Sequence, residues 1–465
     1  MAKTSIEHLS EGMRKRLTLV GCILGSAIVF VDGSVVNVAL PAIQDDLGGG
    51  LALQQWVVDA YLLTLGSLIL VGGSLGDLFG GKRIFLIGLG TFGLTSALCA
   101  LAWSADALIF ARALQGVAGA LLTPAALATI TVVFSGEERG AAIGTWTAWT
   151  GIAFVVGPVA GGWLVTAVSW RAIFLINLPL VAVAAALIMV ALRGAVRAGK
   201  QSRIDTVGAI LCVFGLAGPV FALIEGPTRG YSDPLIVFSF VGGLVVFGLF
   251  ILWELHTRTP MLPLSLFRLR NFTFANLETL SVYAGLSTLT FFLVLFLQQV
   301  AGYSPLRSGL ATLPITVVMF FLSGRFGRLS MRLGPRWFMG IGPLICAAAC
   351  LWMRELSPGF DYWTELLPPI LVFAFGLSMI VAPLTSTVLA DAGPSDAGIA
   401  SGVNNAIARI AGLLGIAVVG AAVASNGTNL DEAGFQTAMV LTAALVAAGG
   451  VTGLIGITNR GAHRR

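Results

Sequence analysis

Five charged side chains lie within stretches of sequence that are otherwise long and apolar: Asp32, Asp59, Arg112, Glu278 and Arg409. A charge inside a hydrocarbon-length helix costs roughly 2.5–3.5 kcal/mol on insertion scales, so such residues usually serve a function. A carboxylate near an arginine can bind and release a proton, or the two can form a structural ion pair. The residue types therefore indicate proton binding, ion pairing or recognition of a charged compound inside a membrane.

The composition identifies lipid as the surroundings of most of this chain. Of its 465 residues, 57% are hydrophobic and only 11% are charged. Soluble domains contain about 25% charged residues, and a chain with so few charges cannot cover a water-facing surface. The cysteines all lie in apolar runs without paired spacing, so we interpret them as small hydrophobic residues. The three histidines lie outside these runs, so we expect no metal site.

Fourteen stretches have the length and apolar character of membrane-spanning helices, each needing about 20 residues. Their approximate bounds are 17–40, 54–76, 84–103, 106–134, 140–165, 172–192, 207–225, 234–253, 272–298, 308–329, 337–353, 366–390, 398–424 and 436–458. Charges or clusters of Pro, Gly and Asn separate them. The sequence therefore predicts an all-α integral membrane protein with fourteen transmembrane helices.

The distribution of lysine and arginine predicts the orientation. With the N-terminus inside, 21 of the 27 basic residues fall in inner segments and two lie within helices; the outer segments hold only Arg171, Arg229, Arg307 and Arg354. We therefore predict that both termini are cytoplasmic. The expected location is a bacterial cytoplasmic membrane. The same distribution explains the net charge of +5 without a nucleic-acid partner.

A weak internal repeat predicts how the helices are grouped. Residues 73–83 and 327–336 are both glycine-rich, basic turns that follow the second helix of a six-helix set. Two sets of six helices with two inserted helices match the plan of secondary transporters. The predicted divisions are a cytoplasmic segment 1–16, a bundle 17–192, a linker with two extra helices 193–270, a bundle 271–458 and a tail 459–465.

Three of the intramembrane charges are predicted to lie at one depth. At 1.5 Å per residue, Asp32 lies about 12 Å, Asp59 about 8 Å and Arg112 about 9 Å from the outer ends of their helices. An arginine level with two acids offsets the cost of burying them. We favour a proton-binding site at Asp32 and Arg112. The alternative is a structural cluster that joins helices 1, 2 and 4, and for Asp59 the two interpretations are balanced.

Two glycine-rich stretches suggest conformational roles rather than nucleotide binding. The turn Gly76 to Lys82 nearly matches a phosphate-binding loop, but it follows a membrane helix and lacks the required Ser or Thr. Asp77 is instead expected to face a helix N-terminus, and Lys82 and Arg83 to bind carboxylates or lipid phosphate. Such contacts, made in one conformation and broken in another, would form a gate. In helix 5, the proline and neighbouring glycines predict a kink and close helix contacts; these residues are Gly157, Pro158, Gly161 and Gly162.

Several of these stretches together resemble the major facilitator superfamily, and within it the fourteen-helix drug:proton antiporters. The similar stretches are VDGSVVNVALP in helix 1, GSLGDLFGGKR after helix 2, LIFARALQGVAGA in helix 4, WRAIFLINLP at helix 6 and NNAIARIAGLLG in helix 13. Two positions depart from the family pattern, Gly81 in place of a basic residue and Ile410 in place of a frequent glutamine. The resemblance extends over essentially the whole chain.

The resemblance implies a proton-coupled antiporter that exports lipophilic, cationic drugs or toxic compounds by rocking of its two halves. It places Asp32 at the signature acid, Arg112 at the proton-linked arginine, and helices 1, 4, 9 and 12 around a cavity. The expected partners are small lipophilic substrates, protons and membrane lipids, with a monomeric protein, no nucleic acid and no cofactor besides the proton gradient. An exporter of one natural metabolite or antibiotic is the alternative, and a membrane-embedded enzyme is a remote one.

The candidate substrate-binding residues are one acid and three aromatic side chains: Glu278, Trp146, Trp149 and Phe292. Glu278 would face the cavity or its inner vestibule and attract cations, and the aromatic rings would contact flat lipophilic cations. Glu278 is alternatively a second proton site or a hydrated acid near a helix start. Arg409 is expected to be structural, either capping carbonyl groups or pairing with Glu278.

Overall fold

The computed structural model describes residues 10–192, 204–424 and 429–459, and regular structure in these ranges is entirely helical. Much of the predicted N-terminal segment, part of the linker and the C-terminal tail lie outside the described residues. The same is true of eight basic residues on which the predicted orientation depends: Lys3, Arg193, Arg197, Lys200, Arg203, Arg460, Arg464 and Arg465.

Fourteen helices in the described ranges are long and apolar enough to cross a membrane, which confirms the predicted number and the all-α membrane fold. They are α1 (Glu11–Leu47), α2 (Gly50–Phe79), α3 (Gly81–Ala100), α4 (Ala105–Val133), α5 (Gly136–Ala167), α6 (Ala172–Ala191), α7 (Thr206–Arg229), α8 (Pro234–His256), α9 (Arg270–Leu295), α10 (Pro305–Leu333), α11 (Arg336–Met353), α12 (Tyr362–Ala392), α13 (Gly398–Val423) and α14 (Glu432–Gly456).

Short polar side chains and glycines set the helix ends. Ser104 accepts a hydrogen bond from Ala107 N and Asp431 accepts one from Gly434 N, so both satisfy first-turn donors of their helices. Gly48 and Gly80 have φ of 77° and 89°, a conformation that glycine adopts without strain. These glycines make the tight turns between α1 and α2 and between α2 and α3.

The helical backbone differs from the prediction in two places. α6 consists of Ala172–Leu175 and Asn177–Ala191, with an interruption at Ile176. Between α12 and α13 the expected break is absent, because helical backbone runs without interruption over Leu367–Val423. Helical propensity therefore continues through a short connection that was predicted to be a loop.

The first six helices pack mainly among themselves, and so do the last six. In the first set, α1 packs on α5, α6 and α4, while α4 also packs on α2 and α3. In the second set, α9 packs on α13 and α14, and α11 packs on α12 and α14. The two sets meet where α2 lies along α13 and α5 lies along α10. The inserted pair is joined to this contact, because α7 packs on both α2 and the helix Leu367–Val423.

The two sets are closed against each other at the end that carries residues 48–49 and 168–171, called the outer end here in line with the predicted orientation. There, Gln298 Nε2 donates to Val38 O at 3.0 Å, and Gln299 Nε2 donates to Gln44 Oε1 at 3.3 Å. Toward the other end, Gly144 of α5 and Gly324 of α10 are both exposed. The structure is therefore closed between the two helix sets at the outer end.

Candidate functional site

The carboxylate of Asp32 lies inside the first helix set and accepts hydrogen bonds from three side chains. Arg112 Nη1 donates to Oδ2 at 2.5 Å, and Gln115 Nε2 and Asn177 Nδ2 each donate to Oδ1 at 2.9 Å. Asp32 is 0% exposed and Arg112 is 1% exposed. Such a set of donors satisfies an ionised carboxylate, and an ion pair in this setting is screened very little by solvent.

The guanidinium of Arg112 is held from several sides. Its Nε donates to Val57 O at 2.9 Å, and Nη1 also donates to Gln115 Oε1 at 2.6 Å. The ring of Tyr61 lies 4.2 Å from the guanidinium carbon, at a distance typical of a cation–π contact. Arg112 therefore has both charge compensation and a fixed orientation within the membrane.

A second layer of polar groups orients the amides around Asp32. Ser96 Oγ accepts hydrogen bonds from Gln115 Nε2 at 2.9 Å and from Asn177 Nδ2 at 3.2 Å. Ser96, Gln115 and Asn177 are all buried. Four helices, α1, α3, α4 and α6, thus contribute side chains to one polar cluster, which we call the Asp32 cluster: Asp32, Ser96, Arg112, Gln115 and Asn177.

Local helix geometry positions two members of the Asp32 cluster. Asn177 follows the interruption of α6 at Ile176, so its side chain is presented where the helix restarts. On α4, Gly116 lies against Tyr61 O and Thr64 of α2, and a Cβ there would overlap with these atoms. Because Gly116 lets α2 and α4 approach closely, Arg112 reaches the backbone of α2.

Sequence reasoning missed three members of the Asp32 cluster. Gln115 lies one turn after Arg112 on α4. Asn177 lies in the stretch WRAIFLINLP, which resembles the family but contains no intramembrane acid. Both are amides within apolar helices, and intramembrane polar side chains usually face a bundle interior. That signal, applied to Ser96 as well, would have nominated these residues.

Asp59 does not join the Asp32 cluster in this structure. It is 0% exposed, and neither carboxylate oxygen has a hydrogen-bond partner among the described residues. The side chains nearby on α2 face other helices, since Gln55 Nε2 donates to Ile416 O of α13 and Trp56 Nε1 donates to Glu225 of α7. The predicted depth of Asp59 brought it level with Arg112, but its position around α2 turns it toward α7 and α13.

Glu278 also lies apart from the Asp32 cluster, inside the second helix set. It is fully buried and its carboxylate oxygens have no partner among the described residues. A Cβ built at Gly453 of α14 would stand 2.9 Å from Glu278 Oε2, so the acid lies directly against α14. In this conformation Glu278 does not face an open cavity, and the described residues show no pairing with Arg409.

The predicted aromatic residues differ in their exposure and in their partners. Trp149 is 55% exposed, whereas Trp146 is half-buried and donates from Nε1 to Ser26 Oγ at 3.0 Å. Phe292 is fully buried and packs edge-on against Phe291 at 5.0 Å. The structure therefore does not assemble Trp146, Trp149 and Phe292 into one accessible surface.

The glycine and proline motif of α5 contacts helices of both sets. Cβ atoms at Gly157 and Gly161 would overlap with Ser34 and Val35 of α1. At Gly162 a Cβ would lie 2.7 Å from the Cα of Leu306 of α10. Pro158 faces the same helix, since its carbonyl group lies against Gly309. The motif thus provides close packing within the first set and across the boundary to the second.

The turn after α2 contributes one side chain to a repeated arrangement at the inner end. Lys82 donates to Leu192 O, and Arg14 Nε donates to Ala191 O at 3.1 Å, so both cap the C-terminus of α6. In the second set, Arg270 Nε donates to Gly456 O at 2.9 Å and Arg336 Nε to Leu454 O at 2.8 Å. Each pair of cations complements a helix C-terminus.

The other two predicted gate residues make no such contact. Asp77 and Arg83 are exposed, and neither forms an ion pair with any described residue. Of the predicted gate, only Lys82 has a defined partner in this conformation.

Comparison with known proteins gives a consistent family assignment. The family model for the Major Facilitator Superfamily matches residues 22–416. The chain is 37% identical to the puromycin resistance protein of Streptomyces alboniger, over 86% of this chain and 80% of that protein. It is 34% identical to the methylenomycin A resistance protein of Bacillus subtilis, over 91% of each. It is also 34% identical to the tetracenomycin C resistance and export protein of Streptomyces glaucescens, over 90% of this chain and 78% of that protein.

Solved structures share the fold at low sequence identity. A crystal structure of a peptide transporter aligns with a TM-score of 0.68 and 15% identity, over 95% of this chain and 94% of that one. A bacterial homologue of the human lysosomal transporter Spinster aligns with a TM-score of 0.63 and 18% identity, over 95% and 96% of the two chains. Together with the family match, these likenesses show that the chain belongs to the Major Facilitator Superfamily and is a transporter rather than an enzyme.

Proposed function

We propose that this protein is a proton-coupled antiporter that exports small lipophilic compounds across a bacterial cytoplasmic membrane by alternating access. The proton gradient is its only energy source, and no cofactor takes part. Both termini face the cytoplasm, and the functional unit is a monomer surrounded by membrane lipids. Names of relatives support the direction of transport, since several are resistance or export proteins.

The single observation that carries the proposal is the Asp32 cluster. Burying the Asp32 carboxylate in a membrane protein also requires burying an arginine and two amides that bind it. Helix packing alone does not require such a set of polar side chains. Protonation of Asp32 removes the negative charge that Arg112 compensates, so proton binding and the position of Arg112 are linked. In this proposal Asp32 is the proton-binding group, and Arg112 is its charge partner.

The helices that hold the Asp32 cluster connect it to the motion. α1 carries Asp32, and its neighbouring residues Ser34 and Val35 pack against Gly157 and Gly161 of α5. α5 in turn touches α10 of the other set through Pro158 and Gly162. A shift of α1 on protonation of Asp32 is therefore transmitted to the boundary that closes the outer end. Release of that boundary is the step that alternating access requires.

A dedicated exporter of one natural compound is a second candidate, because several relatives are named for single antibiotics. One of them is a tetracenomycin C resistance and export protein, and another is a probable actinorhodin transporter of Streptomyces coelicolor. The two candidates share the coupling mechanism and differ in the breadth of their substrates. Competition by a panel of unrelated lipophilic compounds against one transported compound separates them.

The direct test uses purified protein in proteoliposomes with an imposed pH gradient and a fluorescent lipophilic compound. We expect gradient-driven transport in the wild type, and its loss in Asp32→Asn and Arg112→Ala. The matched control is Asp45→Asn, which removes an exposed carboxylate from the same helix as Asp32. Gradient-driven transport that survives in Asp32→Asn contradicts the assignment of the proton site, and transport without any ion gradient contradicts antiport itself.

A further inference from the structure

The second intramembrane arginine, Arg409, is not used by the Asp32 cluster. It lies near the middle of α13, where this helix runs along α2, and its Cβ is close to Gly66 of α2. Its guanidinium carbon stands 5.1 Å from the ring centre of Phe30 of α1. Among the described residues, no aspartate or glutamate forms an ion pair with Arg409.

The space beside Arg409 is open at the middle of the membrane. Along α1, Phe30, Gly33 and Asn37 are partly exposed, although the residues between them are mostly buried. A Cβ built at Gly33 would meet no atom within 4 Å, so this face of α1 borders a cavity. Asn37 Oδ1 is buried and has no hydrogen-bond donor among the described residues. A cavity at mid-membrane between the two repeats is where secondary transporters hold their substrates.

The charge that faces this cavity is positive. Of the nearby acids, Asp32 is fully buried and paired with Arg112, and Asp59 and Glu278 are 0% exposed within helix contacts. Arg409 itself is partly exposed, and its guanidinium carbon lies over the ring of Phe30, which is also partly exposed. An intramembrane arginine without a counter-ion is costly, and such residues usually pair with a ligand or another charge. The planar guanidinium fits two oxygens of an acidic group and also stacks on aromatic rings.

We propose that Arg409 binds the acidic group of the exported compound, and that the preferred substrates are aromatic acids rather than lipophilic cations. Phe30 supplies an aromatic face beside the guanidinium for the ring system of the compound. This inference rests on the proposed export function and defines the chemical class of its substrates.

The charge of the substrate also determines how export responds to the membrane potential. Because the anion leaves while protons enter, the two movements transfer charge in the same direction. Export of an acid is thus accelerated by a membrane potential that draws protons inward.

The experiment compares anthracene sulfonate with anthracene sulfonamide, an acid and a neutral compound with the same fluorescent ring system. Initial rates of proton-driven export are measured over a range of concentrations in proteoliposomes with wild-type protein, Arg409→Gln and Arg409→Lys. We expect Arg409→Gln to raise the KM for the sulfonate about tenfold or more and to leave that for the sulfonamide nearly unchanged. Arg409→Lys should recover part of the affinity, since it keeps the charge. The control is Arg354→Gln, an exposed arginine of the same helix set.

The outcomes separate this inference from the proposed function. Equal KM changes for both compounds in Arg409→Gln would assign Arg409 to structure and overturn the inference, while proton-driven export by the wild type would still stand. Wild-type transport of ethidium in strong preference to the sulfonate would also overturn it. Transport of none of the three compounds under a pH gradient would contradict the proposed function itself. If the rate of sulfonate export does not change when a membrane potential is imposed, export of the anion is contradicted.

Discussion

The two intramembrane arginines, Arg112 and Arg409, have opposite surroundings in the same fold. Arg112 is 1% exposed and bonds to Asp32, Gln115 and a backbone carbonyl within a single helix set. Arg409 is partly exposed, lies between the two sets beside Gly66 and Phe30, and forms no ion pair with any described residue. The protein itself supplies the counter-charge and the hydrogen-bond acceptors of Arg112. In our proposal, a ligand supplies those of Arg409.

This difference separates two roles that sequence alone gives to the same residue type. A guanidinium inside a membrane needs a negative or polar partner wherever it lies. When the protein supplies the partner, the arginine contributes to stability and can respond to protonation of that partner. When the cavity is the only source of a partner, the arginine contributes to binding. Substitutions at the two sites should therefore affect stability and transport in different proportions.

The largest expected effect is the loss of stability in Arg112→Ala. Removing Arg112 leaves the buried carboxylate of Asp32 without its counter-charge, and breaking a buried pair in this way costs about 3–5 kcal/mol. The free energy of unfolding in detergent should fall by that amount. In Asp32→Asn/Arg112→Ala most of the stability should return, because no uncompensated charge remains. A double variant as unstable as Arg112→Ala would show that the ion pair is not the source of the loss.

An intermediate effect is expected for Asn177→Ala. This substitution removes one donor to Asp32, and a hydrogen bond to a charged group contributes about 1.5–3 kcal/mol. Gln115 and Arg112 still bond to the carboxylate, so the loss should be smaller than in Arg112→Ala. Thermal unfolding in detergent measures it, with Thr437→Ala on the exposed face of α14 as the control. No loss of stability would mean that Asn177 is not bonded to an ionised carboxylate.

The smallest effect on stability is expected for Arg409→Gln. The substitution removes the cation–π contact with Phe30, which contributes about 0.5–1 kcal/mol, and breaks no ion pair with a described residue. The same unfolding measurement should therefore place this variant close to the wild type, even though its transport of an aromatic acid is impaired. Destabilisation as large as that of Arg112→Ala would remove the contrast between the two arginines.

Much of the fold was predictable because lipid imposes it. An apolar run of hydrocarbon length must form a helix, so fourteen spans followed from hydrophobicity alone. The interruption of α6 at Ile176 and the helical connection between α12 and α13 were not predictable, since they depend on local packing. The division into two helix sets with an inserted pair stays a prediction, although the contacts within each set agree with it.

The sequence predicted the depth of the site residues in the membrane, but not the direction in which each side chain points around its helix. Helix rise placed Asp32, Asp59 and Arg112 at one level, and the structure brings Asp32 and Arg112 into contact. Asp59 does not contact Arg112 because it is two residues from both Val57 and Tyr61, the positions of α2 that face Arg112. Residues two apart on a helix point in nearly opposite directions, at about 100° per residue. Depth therefore needs to be combined with the helical face before neighbours are inferred.

The central claim is that Asp32 holds the proton that is exchanged for substrate. The most direct measurement is the number of protons released when a transported compound is added to detergent-purified protein in weakly buffered solution. We predict that the wild type and Asp45→Asn release protons in proportion to bound compound, whereas Asp32→Asn binds the compound without releasing any. Equal proton release by the wild type and Asp32→Asn would contradict the claim.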